Sequence, residues 1–310
     1  MFTRWIQLSF FLFASLIISQ DFIRPPNGQE HKVKMIDPVV HEYFEHDLIH
    51  QFFTENGYVV VKNVSDSQNR AQLVFLIDQI MQEKIPLSRR LGFLDLYHDD
   101  TLAQLRQDRR VYEVFANLFG SEKLWVVFDR VIHQKIDESE DSLPAYVDQN
   151  PITHPGFFNV QSMLALKDMD ETTGTLALVP QSPQFFHEYA QWAKIKDGYV
   201  EHQGGRELCF VGLRLKEGEM VIWDSRTTHS RFRKEPKADR YAALITYTLA
   251  KEDPELIGLR RKYFDEGIGF NHHEAGLRAT ARPRCEISLR RFPERLSPLG
   301  RKLYGLDLWD

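Results

Sequence analysis

In the first half of the chain, stretches with helical spacing alternate with short apolar runs. Apolar residues recur at intervals of three and four in three segments, residues 41–56, 67–84 and 105–119. This period predicts amphipathic helices, and Gly57 and Gly120 stand where the first and third of them should end. Two runs rich in β-branched and aromatic residues predict buried strands, residues 58–61 and 124–128.

After a polar loop at residues 137–142, the pattern changes almost wholly to short apolar runs bounded by Gly, Pro or charged residues. These runs predict strands at residues 158–166, 175–179, 208–213, 220–223 and 241–249. One amphipathic stretch among them, residues 183–194, predicts a helix. Helices followed by many short strands favour a mainly β fold with flanking helices, as a barrel or a two-sheet jelly roll.

The N-terminus differs from the rest of the chain. Arg4 precedes an apolar run, Leu8 to Ile18, which only Ser9 and Ser15 interrupt. This arrangement predicts a secretory signal peptide over residues 1–20, and with it a location in the secretory pathway or outside the cell. The alternatives are an uncleaved membrane anchor, which would bring the protein to a membrane, and a buried N-terminal element in a cytoplasmic protein.

The remaining chain divides into a polar, proline-containing linker over residues 21–40 and one domain over residues 41–310. Its composition is that of a globular protein, with 43% hydrophobic and 27% charged residues among 310. A net charge of −5 gives no reason to expect a nucleic-acid partner. The two cysteines, Cys209 and Cys285, allow one disulfide bridge at most.

Two polar patches interrupt the predicted strands and offer candidate chemistry. One is Tyr146–Pro151 and the other is Asp224–His229. A carboxylate and an imidazole on adjacent strands can bind a divalent metal, and two histidines with one carboxylate form the metal triad of non-haem Fe(II) oxygenases. Arg240 offers a guanidinium fork suited to the carboxylate of an oxoacid. Taken singly, however, an aspartate or histidine in a loop is more often a turn former or a packed residue.

A series of motifs in a fixed order extends from about residue 41 to the C-terminus. The motifs are Gly92–His98, Leu124–Arg130, Val160–Leu166 followed by Gly174, Val179–Ser182, Gly218–Trp223, His229, Arg240 eleven residues later, and Leu296–Trp309. With these motifs the chain resembles the phytanoyl-CoA dioxygenase family of Fe(II)/2-oxoglutarate-dependent oxygenases. The resemblance implies a double-stranded β-helix, that is, a cupin-like jelly roll.

The resemblance also implies cofactors, a site and an activity. Fe(II) would be bound by Asp148 and His229, and the cosubstrate 2-oxoglutarate by Arg240 and Gln161. Such an enzyme decarboxylates 2-oxoglutarate with O2 to succinate, and it hydroxylates, desaturates or cyclises a small organic substrate. The position of the first iron-binding histidine in the family is Tyr146 in this chain. A neutral phenol binds Fe(II) poorly, and its usual pKa of about 10 keeps it neutral near pH 7.

Three interpretations of Tyr146 follow. The site is incomplete, and the protein is a non-catalytic relative that binds a ligand in the same pocket. Alternatively, His154, six residues after Asp148, replaces the missing histidine. In the third interpretation, Asp148, His229 and water or cosubstrate hold the iron, with Tyr146 beside it or bound to it as a phenolate.

Overall fold

The structure is a computed structural model that describes residues 21–23, 31–83, 89–90, 92–138, 144–157, 159–192, 194–196, 199–201, 207–269 and 295–309. Its strands are β1 Asp21–Ile23, β2 His31–Ile36, β3 Val40–Glu42, β4 Tyr58–Lys62, β5 Arg89–Arg90, β6 Phe93–Leu94, β7 Leu124–Val126, β8 Val131–Gln134, β9 Tyr146–Val147, β10 Val160–Ala165, β11 Thr175–Leu178, β12 Lys194–Lys196, β13 Tyr199–Glu201, β14 Phe210–Leu213, β15 Met220–Asp224, β16 His229–Phe232, β17 Arg240–Leu244 and β18 Tyr247–Leu249. Its helices are α1 His46–Asn56, α2 Ser67–Gln82, α3 Asp100–Arg106, α4 Arg109–Phe119, a 3-10 helix Ser182–Glu188, α5 Tyr189–Trp192, α6 Pro254–Glu266 and α7 Pro298–Tyr304.

The strands form two sheets. One has the order β1-β2-β14-β11-β16-β9-β13-β12, and the other has the order β3-β4-β15-β10-β17-β8-β6-β5, with β18 bridging β10 and β7. Most neighbours are antiparallel, whereas β2 runs parallel to β14 and β3 runs parallel to β4. The mainly β fold with flanking helices and the jelly-roll architecture predicted from the sequence are confirmed.

The central strands of the second sheet are apolar throughout because both of their faces are buried. In β15, Val221 and Trp223 pack between the two sheets, whereas Met220 and Ile222 pack on the opposite side with residues of the helices. Side chains alternate between faces along a strand, so an unbroken apolar run is what a doubly covered strand requires. The space between the sheets also receives Leu178 from β11 of the first sheet.

Helices α1, α2 and α4 cover the outer face of the second sheet. Ile49, Leu73 and Phe115 are fully buried there and belong to the larger apolar core. Burying side chains of this size stabilises the fold by roughly 1.5–3 kcal/mol each. As predicted, Gly57 and Gly120 follow the last residues of α1 and α4 in the left-handed conformation.

Two of the predicted helices differ in their bounds. The segment 105–119 is divided because the Asp108 carboxylate accepts a hydrogen bond from the amide of Arg110 at 3.0 Å and caps a new helix, α4. The helix predicted from residue 41 begins at His46, since residues 40–42 pair with β4 as a strand. Similarly, the helix predicted over 183–194 is a 3-10 helix followed by the single turn α5.

The long strand predicted over 241–249 is divided in two. β17 pairs with β8, whereas β18 pairs with β7, and the chain passes from one partner to the other at Ile245 and Thr246. Residues 31–36, assigned above to the linker, form β2, because this strand pairs in parallel with β14 along its whole length. Alternation of buried and exposed residues at its start is the pattern of a strand with one covered face.

Several sequence-based predictions concern residues outside the described ranges. These are the signal peptide over 1–20 and one member of the cysteine pair, Cys285. Cys209 is exposed, and its pairing stays a prediction. Among the residues that the structure describes, no helix is long and apolar enough to cross a membrane.

Candidate functional site

The loop between β15 and β16 places His229 at the mouth of the space between the sheets. It begins as a tight turn, in which the amide of Thr227 donates to the carbonyl of Asp224 at 2.8 Å. The Asp224 carboxylate accepts from the amide of Arg226 at 2.8 Å and also bonds the Arg226 guanidinium. Asp224, the first polar residue of this patch, is therefore engaged within its own turn.

The end of helix α1 holds the same loop from the other side. The carbonyl of Gly57 accepts hydrogen bonds from the Thr227 hydroxyl at 2.7 Å and from the Asp224 amide at 3.0 Å. Gly57 has φ of 77°, and a Cβ on it would lie 2.7 Å from Pro183 and 2.8 Å from the Thr227 hydroxyl oxygen. Glycine is required here both for its conformation and for this close approach.

A second set of contacts joins this loop to the segment that carries Asp148. The amide of Asp148 donates to the carbonyl of Ser225 at 3.2 Å. The hydroxyl of Ser225 donates to the side-chain oxygen of Gln149, the residue that follows Asp148, at 2.6 Å. The carboxylate and the imidazole thus come from two loops that are tied together through their backbones and a buried side-chain bond.

Asp148 and His229 meet in a buried contact. The distance from Asp148 Oδ2 to His229 Nε2 is 3.1 Å, and the two side chains are 8% and 4% exposed. On the other side of the ring, His229 Nδ1 lies 2.8 Å from the carbonyl oxygen of Thr227. A carbonyl can only accept, so Nδ1 carries a proton, and Nε2 faces Asp148 either with a second proton or with a lone pair that can bind a cation.

This arrangement suits a cation better than it suits acid–base catalysis. Asp148 Oδ2 and His229 Nε2 are 3.1 Å apart, and a contact this close between a carboxylate and an imidazole nitrogen needs a proton or a metal ion between them. Adjacent ligands of an octahedral ion at about 2.1 Å lie about 3 Å apart. The hydrogen bond from Nδ1 to a backbone carbonyl is also the usual way in which proteins orient a metal-binding histidine. Both nitrogens of His229 are engaged, which leaves neither free to take a proton from a substrate.

Tyr146 stands beside this pair. It is directly opposite His229 in the pairing of β9 with β16, and the two ring centroids are 4.4 Å apart. Trp223 flanks the histidine at a ring-centroid distance of 5.6 Å. The phenol therefore lies beside the Asp148–His229 pair, at the position where the resemblance implies the first iron-binding histidine.

Gln161 contacts the carboxylate of this pair. Its Nε2 atom donates to Asp148 Oδ2 at 2.7 Å, and its residue is 5% exposed. Gln161 lies on β10, opposite Trp223 of β15, so its side chain enters the space between the sheets. A contact of Gln161 with a cosubstrate stays a prediction.

Arg240 is a fully buried cation. Its guanidinium NH2 group donates to the sulfur of Met163 at 2.9 Å, and its Nε atom has no partner. Among the residues that the structure describes, no carboxylate lies within ion-pair distance of Arg240. Burial, together with repulsion from Arg231 and Arg233, lowers the pKa of Arg240 to about 9, and the nearby Tyr146 offsets part of this lowering.

A buried charge without a counterion is costly, and an anion from solution would relieve the cost. The guanidinium fork of Arg240 is suited to a carboxylate. Tyr146 lies near Arg240, because its electrostatic interaction with the guanidinium raises the pKa of Arg240. Tyr146 also contacts the ring of His229. The anion-binding group and the candidate metal ligands therefore open into one space.

Sequence reasoning missed one polar group in this space. The indole N–H of Trp223 is buried and has no hydrogen-bond partner, although its ring lies beside His229. Buried donors are nearly always paired in folded proteins, so an unpaired one next to a ligand site suggests a bond to a bound molecule. Because Trp223 belongs to the apolar run of β15, the sequence predicted only a packing role for it.

Two other histidines do not join the site. The ring of His154 bonds the Thr153 hydroxyl at 2.9 Å through Nδ1, and its backbone carbonyl accepts from Gln149. His98, which also forms a His-x-Asp sequence, contacts the carbonyl of Ile268 at 3.0 Å and packs between Phe128 and Phe264. None of these contacts is with the side chain of Asp148 or His229.

The protein side chains present two good donors for a metal ion. Among the described residues, no group of three or more His, Cys, Asp and Glu side chains is arranged to bind a metal. The carboxylate of Asp148 and the oriented imidazole of His229 fit Fe(II), and the unpaired Arg240 fits the carboxylate of 2-oxoglutarate. The second histidine of the triad has no counterpart, because Tyr146 stands in its place.

Comparison with curated proteins gives one match. The Ava biosynthesis cluster protein O from Aspergillus versicolor is 25% identical over 169 residues, which are 47% of this chain and 54% of that protein. The chain thus spans about half the length of the curated relative that it matches. No family model matches the chain.

Solved structures share the fold over most of the chain. GIG2, a DUF1479 protein from Candida albicans, has a TM-score of 0.66 at 11% identity. The match covers 88% of this chain and 80% of the GIG2 chain. The hypothetical protein JW0805 from Escherichia coli has a TM-score of 0.66 at 14% identity. This match covers 87% of this chain and 86% of JW0805.

A third structure with this fold contains the implied cofactors. The epimerase SnoN, in complex with Fe3+, α-ketoglutarate and nogalamycin RO, has a TM-score of 0.54 at 16% identity. The match covers 66% of this chain and 84% of SnoN. The resemblance predicted from the sequence is confirmed at the level of the fold, which this chain shares with a non-haem α-ketoglutarate-dependent enzyme.

Proposed function

We propose that this protein is an Fe(II)/2-oxoglutarate-dependent oxygenase that oxidises a small organic molecule. One observation carries the proposal. A buried Asp148–His229 pair, whose facing oxygen and nitrogen atoms are 3.1 Å apart, shares a space with Arg240, a buried guanidinium without a carboxylate partner among the described residues. The first feature calls for a cation and the second for an anion, and iron with a 2-oxoacid satisfies both.

Each residue has a stated part in this function. Asp148 and His229 bind the metal, and Thr227 keeps the imidazole in the tautomer that a metal requires. Arg240 pairs with a carboxylate of 2-oxoglutarate. When bound, iron and 2-oxoglutarate supply the oxidising step with O2. The apolar side chains between the sheets, among them Leu178 and Val221, exclude water from it.

The reaction on the substrate is hydroxylation, desaturation or cyclisation in this proposal. The shared fold with SnoN, an epimerase bound to nogalamycin RO, supports a small organic substrate without identifying it. Fold alone does not determine chemistry, because function depends on the residues of the site. The unpaired indole N–H of Trp223 favours a ligand that carries an oxygen or nitrogen acceptor.

The second candidate function is a non-catalytic ligand-binding relative. Tyr146 favours it, since a phenol stands where the third metal ligand is expected. In that case Arg240 binds an anionic ligand in the same space, while the Asp148–His229 pair holds a proton in place of a metal.

Two measurements on purified protein distinguish these functions. The first is Fe(II) binding under anaerobic conditions, and the second is conversion of 2-oxoglutarate to succinate. We expect the wild type to do both, His229→Ala to lose both, and His154→Ala to match the wild type. A wild type that binds 2-oxoglutarate but neither binds Fe(II) nor forms succinate would support the non-catalytic function and refute the oxygenase.

A further inference from the structure

Two side chains converge on a single oxygen atom of Asp148. Gln161 Nε2 lies 2.7 Å from Asp148 Oδ2, and His229 Nε2 lies 3.1 Å from the same atom. Gln161 and His229 are 5% and 3% exposed. The three side chains form a compact polar cluster in the space between the sheets.

The amide of Gln161 can face this cluster in two ways. In the structure it presents its NH2 group, which is what a carboxylate without a cation requires. An amide also carries a carbonyl oxygen, a strong acceptor of almost the same size and position. Rotation about the last side-chain bond exchanges the two groups without moving the backbone.

Little opposes this rotation. Among the described residues, the side chain of Gln161 has one hydrogen bond, the one to Asp148. The backbone of Gln161 is fixed in β10, between β15 and β17 in the second sheet. A rigid backbone and a single side-chain bond allow the amide to turn while its position is kept.

We propose that Gln161 is the third protein ligand of the divalent cation bound by Asp148 and His229, through its Oε1 atom. The inference rests on the proposed function and extends it, because it supplies a donor that Tyr146 lacks. Carboxylate and amide oxygens with one imidazole form a ligand set that suits Fe2+, Mn2+ or Co2+. Binding of the ion turns the amide, so that its oxygen replaces the NH2 group beside Asp148.

Tyr146 is a weaker candidate for this role. A neutral phenol donates its proton and offers a poor ligand atom, whereas an amide oxygen needs no deprotonation. Gln161 already contacts the carboxylate that holds the ion, and the ring of Tyr146 is tilted by 54° against the ring of His229.

The test is the affinity for Co2+, measured by calorimetry and by the visible absorption of the bound ion. The variants are Gln161→Leu, Gln161→Glu and Tyr146→Phe, each checked by circular dichroism. We expect Gln161→Leu to bind Co2+ at least tenfold more weakly. Gln161→Glu should bind as tightly as the wild type or more tightly, because it keeps an oxygen ligand. Tyr146→Phe should change the affinity less than threefold.

Gln161→Glu distinguishes two roles of Gln161, that of a metal ligand and that of a residue that only positions Asp148. A positioning role needs the NH2 group, so Gln161→Glu would then weaken Co2+ binding as Gln161→Leu does, and the inference would be wrong. It would also be wrong if Tyr146→Phe weakened binding and Gln161→Leu did not. Both outcomes leave the oxygenase proposal intact, whereas a wild type that binds no Co2+ and no Fe(II) refutes that proposal itself.

Discussion

The ring of Tyr146 lies 4.4 Å from the ring of His229, and the two residues are directly opposed in neighbouring strands. Cross-strand partners project to the same face of a sheet. The backbone pairing therefore directs any side chain at position 146 toward His229. The residue type at this position decides whether the site has a further metal-ligand atom.

Tyr146→His should increase the affinity for divalent cations. An imidazole at this position adds a nitrogen ligand opposite His229, and we expect at least tenfold tighter binding of Co2+ by calorimetry. Tyr43→His, a tyrosine of the N-terminal region, is the control for an imidazole added elsewhere. Equal gains in both variants would show that position 146 does not face the ion.

Arg240→Met should stabilise the protein without ligand and abolish its response to 2-oxoglutarate. It removes a buried charge that, among the described residues, has a hydrogen bond only to the sulfur of Met163, and such replacements are neutral or stabilising by about 1–4 kcal/mol. Urea unfolding with and without 2-oxoglutarate measures both effects.

Arg260→Met is the matched control for this variant. Arg260 is equally buried, and burial likewise lowers its pKa to about 9. However, it bonds the carbonyls of Val126 and Leu303 and stacks on the ring of Trp125. Its replacement should destabilise the protein. If both variants were destabilised alike, Arg240 would have a structural role instead of a binding role.

The affinity for 2-oxoglutarate should fall as the pH rises through the lowered pKa of Arg240. The ligand pairs with the protonated guanidinium, so binding is complete at lower pH and is lost as the free protein releases that proton. The stability of the ligand-free protein changes in the opposite direction and increases with pH. Because the pKa is lower in the folded state than in the unfolded state, this group makes the fold more stable as the pH rises. Calorimetry from neutral pH upwards checks the first effect, with Arg240→Lys as the comparison.

Gly57→Ala should weaken metal binding although Gly57 contacts no ligand. Its φ of 77° and the 2.7 Å approach of Pro183 to an added Cβ would force the loop that carries His229 to move. Gly120→Ala isolates the cost of the backbone conformation, since φ there is 58° and a Cβ would meet nothing within 4 Å.

We expect Gly120→Ala to cost about 1–2 kcal/mol of unfolding free energy with unchanged Co2+ affinity. Gly57→Ala should cost more and also bind Co2+ more weakly. Equal unfolding free energies for the two variants, with wild-type Co2+ affinity in both, would contradict a role for Gly57 in holding the loop.

Much of the fold could be predicted because local patterns reflect burial. The strand at 220–223 is apolar throughout, and the structure buries both of its faces. Breaks within elements were harder to predict. Asp108 caps a new helix inside an otherwise continuous helical pattern, and the strand after Arg240 divides only because its halves pair with different neighbours.

By itself, the sequence determined a mainly β fold with flanking helices, since residue type and order are local properties, and through its resemblance to a known family it implied the jelly roll and the candidate site residues Asp148, His229 and Arg240. Only the tertiary structure decided which polar atoms meet. It placed Gln161 on the carboxylate of Asp148 and left Arg240 without a carboxylate partner among the described residues. Such contacts depend on strands that are far apart in the chain and adjacent in the sheet, which no local pattern records.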